Sequence, residues 1–181
     1  MKPGSGMDGS GEWFDDVGLG DAFSRSITIT ETHLVLGAGL IGDFNPHHVD
    51  EGYAKGTRFG TRILHGMITS AMMGAPVGMR FHGTAIAYLE HAARFKAPVR
   101  AGDTLTTTWT VVAKDAKPHH GGGVVALAGV CRNQQGIVVA EADAKMMVAA
   151  RAREQGPRAR AARGDATEAS RRRRPTARRR D

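Results

Sequence analysis

The chain has 181 residues, 41% of them hydrophobic, a formal net charge of +7 and a single cysteine. That suffices for one domain with a real core, while a lone Cys131 excludes an intrachain disulfide framework and no run of about 18 uncharged apolar residues is present to span a membrane. The charge is lopsided: residues 151–181 carry 12 arginines and no lysine against four acidic residues, or +8, leaving −1 for residues 1–150.

Residues 1–12 are glycine-rich and polar and read as a flexible lead. Their basic start is followed by no apolar stretch of a secretory leader, so a cytoplasmic protein is expected. Over residues 24–30, Ile27 and Ile29 alternate with Ser26, Thr28 and Thr30, which predicts a short half-buried strand. Thr30 or Thr32 can then cap a helix through Leu34 to Ile41, although Gly37 and Gly39 each cost it roughly 1 kcal/mol relative to alanine. Residues 49–63 show no period and read as irregular, hinged at Gly56 and Gly60. Residues 66–75 are uncharged and apolar nearly all round, which predicts a helix buried on every side and closed by Pro76 and Gly78.

Such a helix needs a sheet about it, and strand-like segments follow. Residues 85–95 set Ala87, Leu89, Ala93 and Phe95 on one face with His91 among them. Residues 105–113 alternate apolar side chains with threonines. Residues 124–132 and 138–148 complete the set, the last with small apolar side chains opposite Glu141, Asp143 and Lys145, as for a sheet with one wet face. Four consecutive strands joined by short loops are most simply an antiparallel meander. Wrapped about one apolar helix, they make an α+β hot-dog fold. Residues 13–150 form this domain, and the arginine-rich residues 151–181 cannot bury enough surface to order themselves.

The chemistry concentrates in Asp43, Asn45, Pro46, His47, His48 and Asp50, answered by His65 and Gly66. Pro46 fixes one φ and the Asn45 amide can tie the turn, so Asp43 and His48 can reach a common point and relay protons. Taken alone, these residues are equally compatible with Asp43 capping a turn and His48 lying on the surface. Gly66, first in the apolar helix, offers a free N–H aligned with the helix dipole. Such a donor suits an oxygen that gains negative charge during a reaction, where donors of this kind are worth about 3 kcal/mol in acyl chemistry.

The run Asp43-x-Asn45-Pro46-x-His48 resembles the hydratase motif of the MaoC-like, (R)-specific enoyl-CoA hydratases. Tyr53-Ala54, Phe59-Gly60, Ile63 to Met67, Tyr88 to His91, Pro98-Val99 and Gly102-Asp103 resemble the same family in the same order, over residues 13–150. The resemblance implies reversible hydration of a trans-2-enoyl-CoA to an (R)-3-hydroxyacyl-CoA. Asp43 and His48 would be the acid–base pair, Gly66 and Asn45 would serve the substrate, and His65 would position the turn. It chooses His48 over His47 by spacing and leaves His47 without a role. It also implies a homodimer or larger homo-oligomer and no cofactor beyond the CoA of the substrate. Some members carry a serine further along the helix; Thr69 and Ser70 are the nearest hydroxyls, Gly74 has none, and no serine is carried over.

Other features point nowhere so definite. His119-His120 lies in a glycine-rich hairpin without a ligand signature, and neither a dinucleotide fingerprint nor a P-loop is present, so no metal or nucleotide cofactor is expected. The arginine tail can hold nucleic acid only weakly and non-specifically through phosphates. Arg94, Lys96 and Arg100 are candidates for CoA phosphates, and Met67, Met72, Met73 and Met79 for the acyl pocket. Cys131, in an apolar run, is expected to be buried and inert. A hot-dog thioesterase and a non-catalytic acyl-CoA-binding protein remain the alternatives.

Overall fold

The computed structural model describes residues 11–151. The expected flexible start, up to residue 10, and the arginine-rich tail from residue 152 lie outside the described residues. Gly11 and Glu12 are tied down: their N–H groups donate to the carbonyls of His82 and Arg80 at 2.6 and 3.1 Å, and the Glu12 carboxylate meets the Arg80 guanidinium at 2.7 Å.

The chain runs through β1 (Ala22–Thr28), α1 (Glu31–Ile41), α2 (Pro46–Val49), α3 (Glu51–Lys55), α4 (Gly66–Arg80), β2 (Ala85–Phe95), β3 (Thr104–Lys117), β4 (Gly122–Arg132) and β5 (Val138–Ala149). The strands form one antiparallel sheet in the order β1-β3-β4-β5-β2. This corrects the expected four-strand meander. Only β3, β4 and β5 follow one another across the sheet, whereas β2 pairs with β5 at the far edge. The connection over residues 96–103 is no tight turn. It is pinned at three points, by Lys96 N–H to Val139 O, Leu64 N–H to Val99 O and Gly102 N–H to Ile29 O, and so carries the chain from one edge region of the sheet to the other.

Alternation decides which face of the sheet is dry. In β5, Ala140, Ala142, Ala144, Met146 and Val148 are buried while Asp143 and Lys145 are exposed. The wet face carries cross-strand ion pairs: Lys145 with Glu90 directly opposite it, and Arg94 with Asp143 and Lys96 with Glu141 on the diagonal, two residues out of register. Ser24, Ser26 and Thr28 of β1 meet Thr108, Thr106 and Thr104 of β3 hydroxyl to hydroxyl at 2.8–2.9 Å. Each such pair contributes some tenths of a kcal/mol. The threonine run of β3 thus serves strand pairing as well as propensity.

The dry face packs on α4, and a sheet about one long helix is the hot-dog fold. Thr69, Ser70, Met73, Pro76 and Val77 are buried, but Met67 and Met79 are 66% and 58% exposed. The helix is therefore not buried on every side within one chain, nor does it stop at Pro76, which lies inside it. A mid-helix proline forfeits one backbone hydrogen bond. Here Pro76 and Val77 are buried, and Trp109 Nε1 donates to the Met73 carbonyl at 2.8 Å, so tertiary contacts outweigh the lost bond. The expected turn ahead of residue 49 holds the one-turn helix α2, and the segment over residues 49–63, expected to be irregular, opens with the one-turn helix α3. Each is capped by a side chain, Asn45 accepting from His47 N–H and Asp50 from Tyr53 N–H.

In β2 a register shift between Tyr88 and Glu90 leaves Leu89 bulged and exposed, so Leu89 does not share a face with His91 as its alternation suggested. The bulge turns Tyr88 to the side of His91, and the phenol oxygen meets His91 Nδ1 at 2.8 Å. Burial pushes the Tyr88 phenol up to about 12 and holds His91 below its ordinary 6.5. As pH falls below 6.5 the unfolded chain therefore binds a proton that folded His91 resists, and stability falls through that window. His91→Gln is expected to flatten this acid-side decline, read as thermal midpoints measured from pH 8 to pH 5. Cys131 is buried, as expected, and its thiol is pushed up by that burial despite the hydrogen bond from Thr107. Among the described residues no helix is long and apolar enough to cross a membrane.

Candidate active site

Gly42 ends α1 in the left-handed region at φ 74°, where a residue without Cβ is favoured, and throws Asp43 into the turn ahead of α2. Asp43 Oδ1 accepts the Asn45 N–H at 3.0 Å and Asn45 Oδ1 accepts the His47 N–H at 3.2 Å. With Pro46 at the first helical position, these bonds make a stiff corner. One helical turn advances about 100° per residue, so His47 and His48 leave α2 in different directions. His47 goes edge-on to the rings of Tyr53 and Phe59, at 5.1 and 5.4 Å between centroids. His48 turns to Asp43, with Nε2 3.8 Å from Oδ2; the imidazole is 13% exposed and the carboxylate 48%.

The tautomer of His48 follows from its partner. A carbonyl can only accept, so Nδ1–H donates to Ile63 O at 2.7 Å, which leaves the Nε2 lone pair facing Asp43. His65 lies beneath, fully buried, its ring stacked on His48 at 3.8 Å and 27°. Its Nε2–H donates to the Asp43 carbonyl at 2.8 Å and fixes the backbone of the corner. Close approach of α1 to this floor requires Gly37, where a Cβ would lie 3.0 Å from Ile68 Cγ1 and 3.3 Å from His65 Nδ1. The glycine that weakens α1 as a helix is thus what lets it pack.

His48 opens onto a cleft of about 310 Å³ that also exposes Gly66 and Thr69 and is walled by Ile63, Phe95 and Val99. Gly66 begins α4, and its N–H has no acceptor among the described residues. A Cβ on Gly66 would lie 2.9 Å from the Phe95 ring, so the ring seats directly over the helix start. Among the residues named from sequence, His48 and Gly66 share the cleft, Asp43 flanks it, His65 supports it and Asn45 builds the corner. The four methionines do not line it; Met73 is in the core and Met67 and Met79 face outward. Arg58 and Phe95 do line it, and neither was singled out for the site. Arg58-Phe59, a cation beside an aromatic between the two motif halves, was the available signal.

Asp43, His48 and His65 bring their donor atoms within 4.8 Å of one another. His48 Nδ1 and His65 Nε2 are committed to carbonyls, and stacked imidazoles hold their in-plane lone pairs in near-parallel planes rather than aimed at one point.

Residues 18–127 match the family described as MaoC like domain, and the chain belongs to that family. It is 40% identical over 139 residues to the (R)-specific enoyl-CoA hydratase of Rhodospirillum rubrum, covering 77% of this chain and 93% of that one. It is similar in structure to the unliganded R-hydratase PhaJ1 of Pseudomonas aeruginosa, with a TM-score of 0.68, 31% identity and coverage of 76% and 86%. It also resembles the MaoC-like dehydratase of Rhodospirillum rubrum, with a TM-score of 0.69, 25% identity and coverage of 79% and 100%.

Proposed function

We propose that this protein is a hydro-lyase that adds water across the 2,3-double bond of a trans-2-enoyl-CoA to give an (R)-3-hydroxyacyl-CoA, and runs the reverse dehydration. The observation that carries the reading is the 3.8 Å gap between Asp43 Oδ2 and His48 Nε2 beside the free start of α4. That gap is too long for a direct hydrogen bond and suits one water oxygen about 2.8 Å from each atom. Both atoms accept, so such a water donates to both and aims a lone pair at C3. As the C3–O bond forms, Nε2 takes one proton of the water. The electron pair of the double bond moves towards the thioester oxygen, where the Gly66 N–H meets the developing charge. The imidazolium then returns a proton to C2, which balances the addition. Asp43 stays ionised throughout and steadies the imidazolium. No cofactor is required by these steps.

The same reading includes a homodimer. β2 is an edge strand, and Ile86 and Leu89 on it, with Met67 and Met79 on α4, are exposed apolar side chains. An open apolar strand edge invites pairing, and a second copy of β2 is the partner that offers the same pattern. Sedimentation equilibrium is expected to give twice the chain mass of 19.3 kDa, and a monomer at micromolar concentration removes this part of the proposal.

The test of activity is loss of enoyl absorbance with crotonyl-CoA over a chain-length series, with chiral analysis of the product. Formation of the (R)-3-hydroxy thioester without free thiol supports hydration. Thiol release would make the protein a thioesterase, and binding without turnover would make it a carrier.

A further inference from the structure

The charges on the cleft are one-sided. Arg58 and Lys96 line it and, among the described residues, no aspartate or glutamate does, although residues 1–150 as a whole carry −1. The candidate cations separate sharply. Arg94 is taken by Asp143 on the outer face of the sheet. Arg100 donates to the Phe59 carbonyl at 3.0 Å, and neighbouring Arg62 is held by Glu31 and Glu51. Lys96 has an exposed partner in Glu141 at 3.1 Å, a pair that solvent screening makes easy to exchange. Arg58 has no carboxylate within ion-pair distance among the described residues.

Arg58 is also held in place. Its guanidinium sits 4.9 Å above the Phe59 ring. That ring meets His47 edge-on at 5.4 Å, and the Phe59 backbone is fixed by Arg100. A guanidinium laid over a ring keeps its N–H fork free at the edge, the geometry that matches a phosphate with two parallel hydrogen bonds. His47, without a part in the acid–base pair, thereby acquires one as the base of this stack.

We propose that Arg58, on its Phe59–His47 platform, binds a phosphate of the CoA carrier at the cleft, with Lys96 as the second cation, and so makes the enzyme selective for phosphorylated carriers. The proposal rests on the hydratase reading for its substrate and deepens it. Arg58 acts on binding rather than on the bonds that change, so its effect falls on KM for the CoA thioester.

The test compares crotonyl-CoA with crotonyl-pantetheine, which has the same thioester arm and no phosphate, and measures CoA binding separately by calorimetry. For the wild type the ratio of kcat/KM, CoA to pantetheine, is expected to be large. Arg58→Gln is expected to lower that ratio about tenfold, mainly through KM, and to weaken CoA itself in parallel. Arg58→Lys keeps the charge without the fork and falls between. An unchanged ratio and unchanged CoA affinity in both Arg58→Gln and the Arg58→Gln/Lys96→Gln double variant overturn the proposal. If the wild type hydrates neither thioester, the hydratase reading falls and calorimetry alone decides the clamp: CoA binding weakened by Arg58→Gln upholds it, and binding indifferent to the substitution overturns it.

Discussion

Asp43→Asn is expected to lower kcat for crotonyl-CoA hydration by about 10³, and His48→Ala by a similar factor, the usual worth of a positioned proton-transfer group. The asparagine keeps an oxygen to accept the Asn45 N–H, now received by Asp43 Oδ1 at 3.0 Å, so the corner survives and only the charge at Oδ2 is lost. His48→Ala also removes the bond from Nδ1 to the Ile63 carbonyl, which costs about 1 kcal/mol and leaves α4 and the sheet untouched. Because both groups act on one water, the double variant is expected to fall little below the worse single one. The check is kcat together with the circular dichroism and thermal midpoint of each variant. Folded single variants that keep turnover within tenfold of the wild type would remove the acid–base pair from the mechanism.

What could be read in advance divides along the range of the forces involved. Strand β3 and the β4–β5 hairpin are matters of alternation and turn residues, and α1 of a cap at Thr30 and a stop at Gly42, so their signals lie within a few residues. The place of β2 beside β5 depends on how residues 96–103 are pinned by Ile29, Leu64 and Val139, three contacts scattered along the chain, and no local pattern encodes it. Pro76 was read as a stop because in isolation it is one; the packing of Pro76 and Val77 and the Trp109 bond to Met73 override it. At the site, the spacing of Asp43 and His48 was legible because one proline-fixed turn joins them. The direction taken by His47 was not, since it is set by Tyr53 and Phe59. The standing of Arg58 was not either, since it depends on which carboxylates the fold delivers to the other arginines.

Trp109→Ala is expected to have the largest effect on stability, about 3–5 kcal/mol, as for the truncation of a fully buried tryptophan. At roughly 2–4 °C per kcal/mol for a chain of this size, the thermal midpoint should drop by about 6–20 °C. The indole is 0% exposed and touches α4, β2 and β4 at once. Its Nε1–H holds the Met73 carbonyl of α4, and His91 of β2 meets it edge-on at 6.0 Å. On β4 it lies against Gly129, where a Cβ would come within 2.7 Å of ring carbons. That last contact makes the site reciprocal. Gly129→Val should destabilise nearly as much by overpacking, while adding Trp109→Phe to Gly129→Val should recover part of the loss, because a smaller ring makes room for the new side chain. Recovery measured in denaturant is the decisive sign, since two independent defects would add. Met73 lies seven residues, or about 10 Å of helix, from Gly66. Trp109→Phe alone, which keeps most of the ring and loses the bond to Met73, tests whether the anchor also matters for catalysis: if α4 is held by this one bond, kcat falls with the midpoint, and if packing alone holds it, the midpoint falls while kcat stays.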